Sequence, residues 1–86
     1  MPGFLYKERY AVGRSVCVVS KPQLQDFVRS WHLHHPLEQI QLQYAGVKAK
    51  VASVGFYHGG DVLYQLEGVP GTWHEICLTS ADDGAV

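Results

Sequence analysis

This chain lacks a large net excess of either positive or negative charge. Seven Lys and Arg stand against eight Asp and Glu, for a formal net charge of −1. Such a balance supplies no basic field to hold a phosphate backbone, so nucleic-acid binding is disfavoured. Arg14, Lys48 and Lys50 are the cations that could sit together in a barrel surface. Long apolar runs are missing too. None approaches the ~18 residues that a membrane span needs, so no membrane partner is expected. The opening Met1-Pro-Gly-Phe-Leu-Tyr-Lys-Glu-Arg9 lacks the charged-then-apolar order of a secretory signal, which points to a cytoplasmic location. Cysteine is limited to Cys17 and Cys77. Both have apolar neighbours, and without an export signal the expectation is two reduced, inert thiols. A disulfide between them would need the first and last strands to pair. No repeat or low-complexity segment is present.

What is there is a globular composition: 47% hydrophobic residues and 17% charged ones in 86 residues. That length holds one domain. A domain so small buries only roughly 60–65% of its unfolded surface, so its margin of stability is thin. Two Trp, five Tyr and three Phe offset this through their large buried areas, and self-association would add more.

Along the chain, residues 1–9 read as a flexible arm. Ser15-Val-Cys-Val-Val19 is compact and rich in Val, which predicts a buried strand at about 14–19. A helix start follows: Ser20 as cap, Pro22 in the first turn, and Gln23 three residues after Ser20. Leu24, Phe27, Val28 and Trp31 fall on one helical face, predicting a helix over 21–31 that covers one barrel opening or, failing that, meets a partner. His35-Pro36 ends it. Leu37, Ile40 and Tyr44 suggest a second short helix at 36–43, closed by Gly46, although the alternation Ile40, Leu42, Tyr44 fits a strand equally well. From Val47 the pattern is β, with a phase shift near Ala52-Ser53 that predicts a bulge. His58-Gly-Gly-Asp61 and Gly68-Val-Pro-Gly71 read as turns. Val62 to Glu67 alternates as a strand. Thr72 to Thr79 reads as the last strand, with Trp73, Glu75 and Cys77 on one face and His74, Ile76 and Leu78 on the other. Residues 80–86 read as a flexible tail. Closing strand 14–19 against strand 72–79 gives a mainly β fold. It is a small, partly open barrel with a helical insertion at about 21–43 between the first and second strands.

Four segments carry a resemblance: Tyr10-Ala-Val-Gly-Arg-Ser-Val-Cys-Val-Val19, Ala45-Gly-Val-Lys-Ala-Lys-Val-Ala-Ser-Val54, Leu63-Tyr-Gln-Leu66 and Trp73-His-Glu-Ile-Cys-Leu78. In this order they resemble a small SH3-like barrel over about 10–79. The barrel domain of nitrile hydratase β subunits is similar. So is the variable chain of ferredoxin–thioredoxin reductase, where a His-His-Pro segment precedes the Gly-rich strand, as His34-His35-Pro36 does here. The resemblance implies an accessory subunit that packs on a partner carrying the metal or cluster. The cysteine-rich motif of the nitrile hydratase catalytic subunit has no counterpart in this chain, so catalysis by this chain alone is not implied.

Residue chemistry leads to the same expectation. Five histidines, His32, His34, His35, His58 and His74, invite a metal reading, with His32 and His34 able to share a face of an extended chain. Against it, histidines at a helix end also cap its carbonyls and favour its negative pole. The weak metal candidates are His32, His34 and His35. Ser53, Cys17 and Cys77 are nucleophiles by type only, and none stands in a Gly-x-Ser-x-Gly elbow. Asp61, Glu67 and Glu75 read as solvated positions. Gly59-Gly60 lacks the Lys and the helix of a phosphate loop. No cofactor motif is present. The more informative set is the aromatic rim around the two turns: Phe56, Tyr57, His58, Tyr64, Trp73 and His74. Neighbours along a strand point to opposite faces, so part of this set must lie outside, where Tyr and Trp favour recognition; the rest would cap the core. The expected role is a non-catalytic protein-binding or accessory module, with self-association as a further expectation. The alternative is a small-molecule or metal-ion binder that uses a cleft between the helical insertion and the barrel, contacted by His32, His34, Trp31, Tyr57 or Trp73.

Overall fold

Five strands and two short helices follow in the order β1 (Ser15–Val18), α1 (Lys21–Ser30), α2 (Gln39–Leu42), β2 (Lys48–Tyr57), β3 (Asp61–Leu66), β4 (Val69–His74), a 3₁₀ turn (Glu75–Cys77) and β5 (Leu78–Ser80). The structure, a computed structural model, describes residues 8–57 and 61–81. The strands form one antiparallel sheet in the order β4-β3-β2-β1-β5. β4 and β5 end that order without pairing with each other, so the sheet is not closed. The fold is mainly β, with the helical insertion between β1 and β2.

β2 organises the sheet. Its first residues pair with β1, Lys48 opposite Cys17 and Lys50 opposite Ser15. From Val51 onward it pairs with β3, Val51 opposite Leu66 and Tyr57 opposite Asp61. The register slips between Val51 and Ser53, where the broken alternation of the sequence places a bulge. An extra residue there bends the strand and lets it change partner.

Two expectations are corrected. The segment 72–79 is not one strand. It divides into the end of β4, the 3₁₀ turn and β5, so strict alternation fails: Trp73 and His74 are both buried, as are Cys77 and Leu78. β5 therefore closes onto β1 with only three residues, Leu78 opposite Val18, while Trp73 pairs with Tyr64 at the far edge. The second turn is also shorter than expected. It is made by Glu67-Gly68, and Val69, Pro70 and Gly71 already belong to β4. Pro70 is tolerated because β4 is an edge strand.

The core gathers Val16 and Val18 of β1, Leu24 of α1, Val51 of β2, Tyr64 and Leu66 of β3, Val69 and Trp73 of β4, and Cys77 and Leu78 beyond it. The N-terminal valines and the C-terminal Trp segment thus share one interior. Trp73 is fully buried, and its Nε1–H finds no acceptor among the described residues. Both cysteines are free thiols. Burial raises Cys77 from its ordinary 9.0 to about 12, which leaves it protonated and inert. The backbone N–H of Arg9 donates to Tyr64 Oη (3.0 Å), and that of Ala81 donates to the Ser15 carbonyl (3.1 Å).

α1 begins as its sequence predicts. Gln23 Oε1 accepts from the Ser20 backbone N–H (3.2 Å) and from its hydroxyl (2.9 Å). Its apolar face is divided, however: Leu24 is buried and Phe27 packs on the core, while Val28 is exposed. α2 has a single turn. It is fixed by Gln41, a buried polar residue whose Oε1 accepts from the Glu38 N–H (2.8 Å) and whose Nε2 donates to the Thr72 carbonyl (3.1 Å). That side chain lies against Gly71, where a Cβ would come within 2.6 Å of Gln41 Nε2. Among the described residues no helix is long and apolar enough to cross a membrane.

Candidate functional site

The segment after α1 crosses the sheet next to β3 and β4, and the imidazoles of the insertion meet the strands there. Trp31 ends the helix, its backbone N–H bonded to the Phe27 carbonyl (2.8 Å). Its indole N–H donates to the His34 carbonyl (2.6 Å), so the chain turns back at once. His35 takes a left-handed backbone with φ 50°, a conformation costly for a residue with a Cβ. Two bonds hold it: His74 Nε2–H donates to its carbonyl (2.8 Å), and its ring Nδ1 meets His34 Nδ1 (2.8 Å).

His34 is the junction. Its Nε2 lies 2.6 Å from Asp61 Oδ2 at the start of β3. A carboxylate only accepts, so Nε2 carries the hydrogen. Its ring stacks on Tyr57 at the end of β2, centroids 3.8 Å apart. The two Nδ1 atoms of His34 and His35 lie close to the line joining their ring centres, which are 5.0 Å apart. One N–H therefore points at the other lone pair. A metal needs both lone pairs to converge on a third point, which this geometry does not offer. His32 is exposed. Among the described residues no three His, Cys, Asp or Glu side chains converge as metal ligands.

Behind His34 lies an aromatic cluster. Phe27 and Trp31 stack at 5.4 Å with 15° between planes, and both touch the His74 ring, each at 4.8 Å. These three rings line a cleft of about 300 Å³ between the insertion and the sheet, completed by Asp61, Val62, Glu75 and Ile76. His74 is only 4% exposed. Its pKa is lowered from 6.5, first by burial; the nearby His34 and His35 add to this, while the His35 carbonyl and Asp61 oppose it. It enters the cleft as a neutral ring.

Glu75 sits on the 3₁₀ turn and accepts from the Tyr64 hydroxyl and from the Arg9 N–H (3.0 Å). Tyr64 Oη in turn accepts from the N–H groups of Arg9 (3.0 Å) and Tyr10 (3.2 Å). Burial, then the bond to Glu75, raises the Tyr64 pKa from 10.0 to about 12. On each cleft carboxylate one oxygen is thus committed to the fold. Asp61 Oδ1 and Glu75 Oε1 accept no hydrogen bond among the described residues.

The expected aromatic rim divides accordingly. Phe56 (48%) and Tyr57 (39%) are exposed at the end of β2. Tyr64 and Trp73 are core residues, fully buried, because the bend of β2 folds β3 and β4 over the β1 valines. His74 is buried but lines the cleft, and His58 lies outside the described residues. Asp61 and Glu75, read from the sequence as solvated acids, are part-exposed, and each is also bonded to a side chain distant in sequence. Phe27, Asp61, Val62, Glu75 and Ile76 are the cleft residues that sequence reasoning left out of the site. Of the expected insertion–barrel cleft residues, Trp31, His34 and Tyr57 come together, but only Trp31 lines the cleft; His32 is exposed and Trp73 lies in the core. No protein-family model, curated protein or solved structure matches this chain.

Proposed function

We propose that the chain is a non-catalytic binding module of the SH3-like barrel type, and that the cleft between its helical insertion and sheet takes a side chain of a partner polypeptide. The sheet order, with one long strand serving both halves, supports the barrel type. The observation that carries the binding role is the cleft itself, with aromatic walls of Phe27, Trp31 and His74 and two carboxylates at its edge. Concave apolar sites with a few polar groups are where ligands bind.

A polymer fits better than a lone small molecule because a second depression adjoins the first. It measures about 250 Å³ and shares Phe27 and Ile76 with the cleft. Ile76, 74% exposed, forms part of the ridge between them. An extended peptide places alternate side chains on one side, so it can fill both depressions at once.

The test is a titration of the ¹⁵N-labelled protein with capped amino-acid amides of aromatic, aliphatic, acidic and basic type. Saturable shifts are expected at the Trp31 indole and at His74 with at least one class. A titration in which every class leaves those signals unmoved overturns the proposal.

A further inference from the structure

We infer that the group held in this cleft is the guanidinium of an arginine side chain; the inference rests on the binding role proposed above and names its ligand. Three observations lead there. Among the described residues the cleft is lined by two carboxylates and by no Lys or Arg, although the whole chain is nearly balanced in charge. The contrast with the other large groove of the insertion is plain: that groove, between α1 and α2, carries Lys21 and Arg29. The local field of the cleft is therefore one that attracts a cation.

The second observation is the division of labour on each carboxylate. Asp61 Oδ2 serves His34, and Glu75 Oε2 serves Tyr64 and the Arg9 backbone. The remaining oxygens accept nothing among the described residues, and acceptors of this kind suit a multiple donor. Thirdly, the apolar wall is built largely of aromatic rings, Phe27, Trp31 and His74. Rings attract a cation placed over them, most strongly when the ring is Trp. His74 adds a ring without adding a competing positive charge.

Arginine meets all three conditions better than lysine. Its guanidinium is planar and weakly hydrated, stacks on rings, and presents a fork of donors to carboxylates. An ammonium is compact and strongly hydrated, and it gains less from a flat aromatic wall. An extended peptide with arginine in this cleft would place the side chain two residues away over the depression beyond Ile76.

The experiment compares three probes on the full chain by ¹⁵N and indole chemical shifts: the capped amides of arginine, citrulline and lysine. Citrulline keeps the shape of arginine but replaces the guanidinium with a neutral urea. Arginine amide is expected to shift Trp31 and His74 saturably. Citrulline amide should bind about tenfold more weakly, and added salt should weaken only the charged probes. Asp61→Asn, whose amide oxygen still accepts from His34, should lower arginine affinity several-fold, with the dispersed spectrum of the folded protein retained. Equal binding of arginine and citrulline overturns the guanidinium inference but leaves the cleft as a binding site. Equal binding of lysine overturns it in favour of a general cation site. Failure of all three, together with failure of the neutral aromatic and aliphatic amides, overturns the binding role as well.

Discussion

Tyr64 Oη shows how much a single atom holds here. It accepts from two backbone N–H groups of residues 9 and 10 and donates to Glu75. Tyr64→Phe leaves the ring in the core but strands the buried Tyr10 N–H. A loss of ~1–3 kcal/mol is expected from an unsatisfied buried donor, read as a shift in the denaturant midpoint. Faster proteolysis ahead of Val12 should accompany it. Gly71 is a second sensitive point. Its φ of 93° and its approach to Gln41 both forbid a Cβ, so Gly71→Ala should destabilise by ~2 kcal/mol or more. Gly68→Ala is the control. Its φ of 74° is equally left-handed, but no atom lies within 4 Å of the added carbon, so it should cost only the backbone strain of about 1 kcal/mol. Similar midpoints for the two variants would show that Gln41 yields and that α2 is not pinned by this contact.

Among the elements, the helical insertion depends on a few side chains to reach the sheet. Segment 31–37 is held by the His34–Asp61 bond, the His34–Tyr57 stack and the His74–His35 bond. His34→Ala removes the first two together. A fall of ~1–2 kcal/mol in stability is expected, with loss of amide protection concentrated in 31–37 and β1 unaffected. Unchanged protection in that segment would mean that Gln41 and Leu24 alone fix the insertion. Most of these elements were legible in the sequence. Ser20, Pro22 and Gln23 mark the start of α1, and the broken alternation at Ala52-Ser53 marks the bulge that bends β2. The 3₁₀ turn was not legible. Glu75, Ile76 and Cys77 continue an alternation that suits a strand, and only the packing of Trp73, His74, Cys77 and Leu78 against one core makes the chain turn there. The cleft was legible in outline, because a helix ending in Trp31 and a His-His-Pro segment must pass near the strands. Its acids were not, since the partners of Asp61 and Glu75 lie 27 and 11 residues away. Nothing local marks such pairs.

For the molecule as a whole, three buried groups set how stability follows pH. His74 has a lowered folded pKa, so the unfolded chain takes up its proton first. Its contribution is full above 6.5 and is lost as pH falls below that value through the lowered one. Tyr64 and Cys77 are raised, from 10.0 and 9.0 respectively, both to about 12. Their contributions are full below pH 9 and are lost as pH rises from there towards 12. The denaturant midpoint should therefore be highest between about pH 7 and 9. His74→Phe should flatten the acid side while leaving the alkaline side as it was. An acid limb of unchanged steepness in that variant would assign the effect to carboxylates instead.

The change of partner along β2 has a consequence for how the molecule comes apart. Val51 donates its N–H to the Arg14 carbonyl and accepts from the Gly13 N–H (2.9 Å each), while the Lys50 carbonyl accepts from Glu67 N–H (2.9 Å). The two arms of the sheet are thus spliced at adjacent residues, and neither can unzip through this point without disturbing the other. The slowest-exchanging amides should centre on Val51 and Glu67 and share one opening rate, while the edges at β4 and β5 breathe independently.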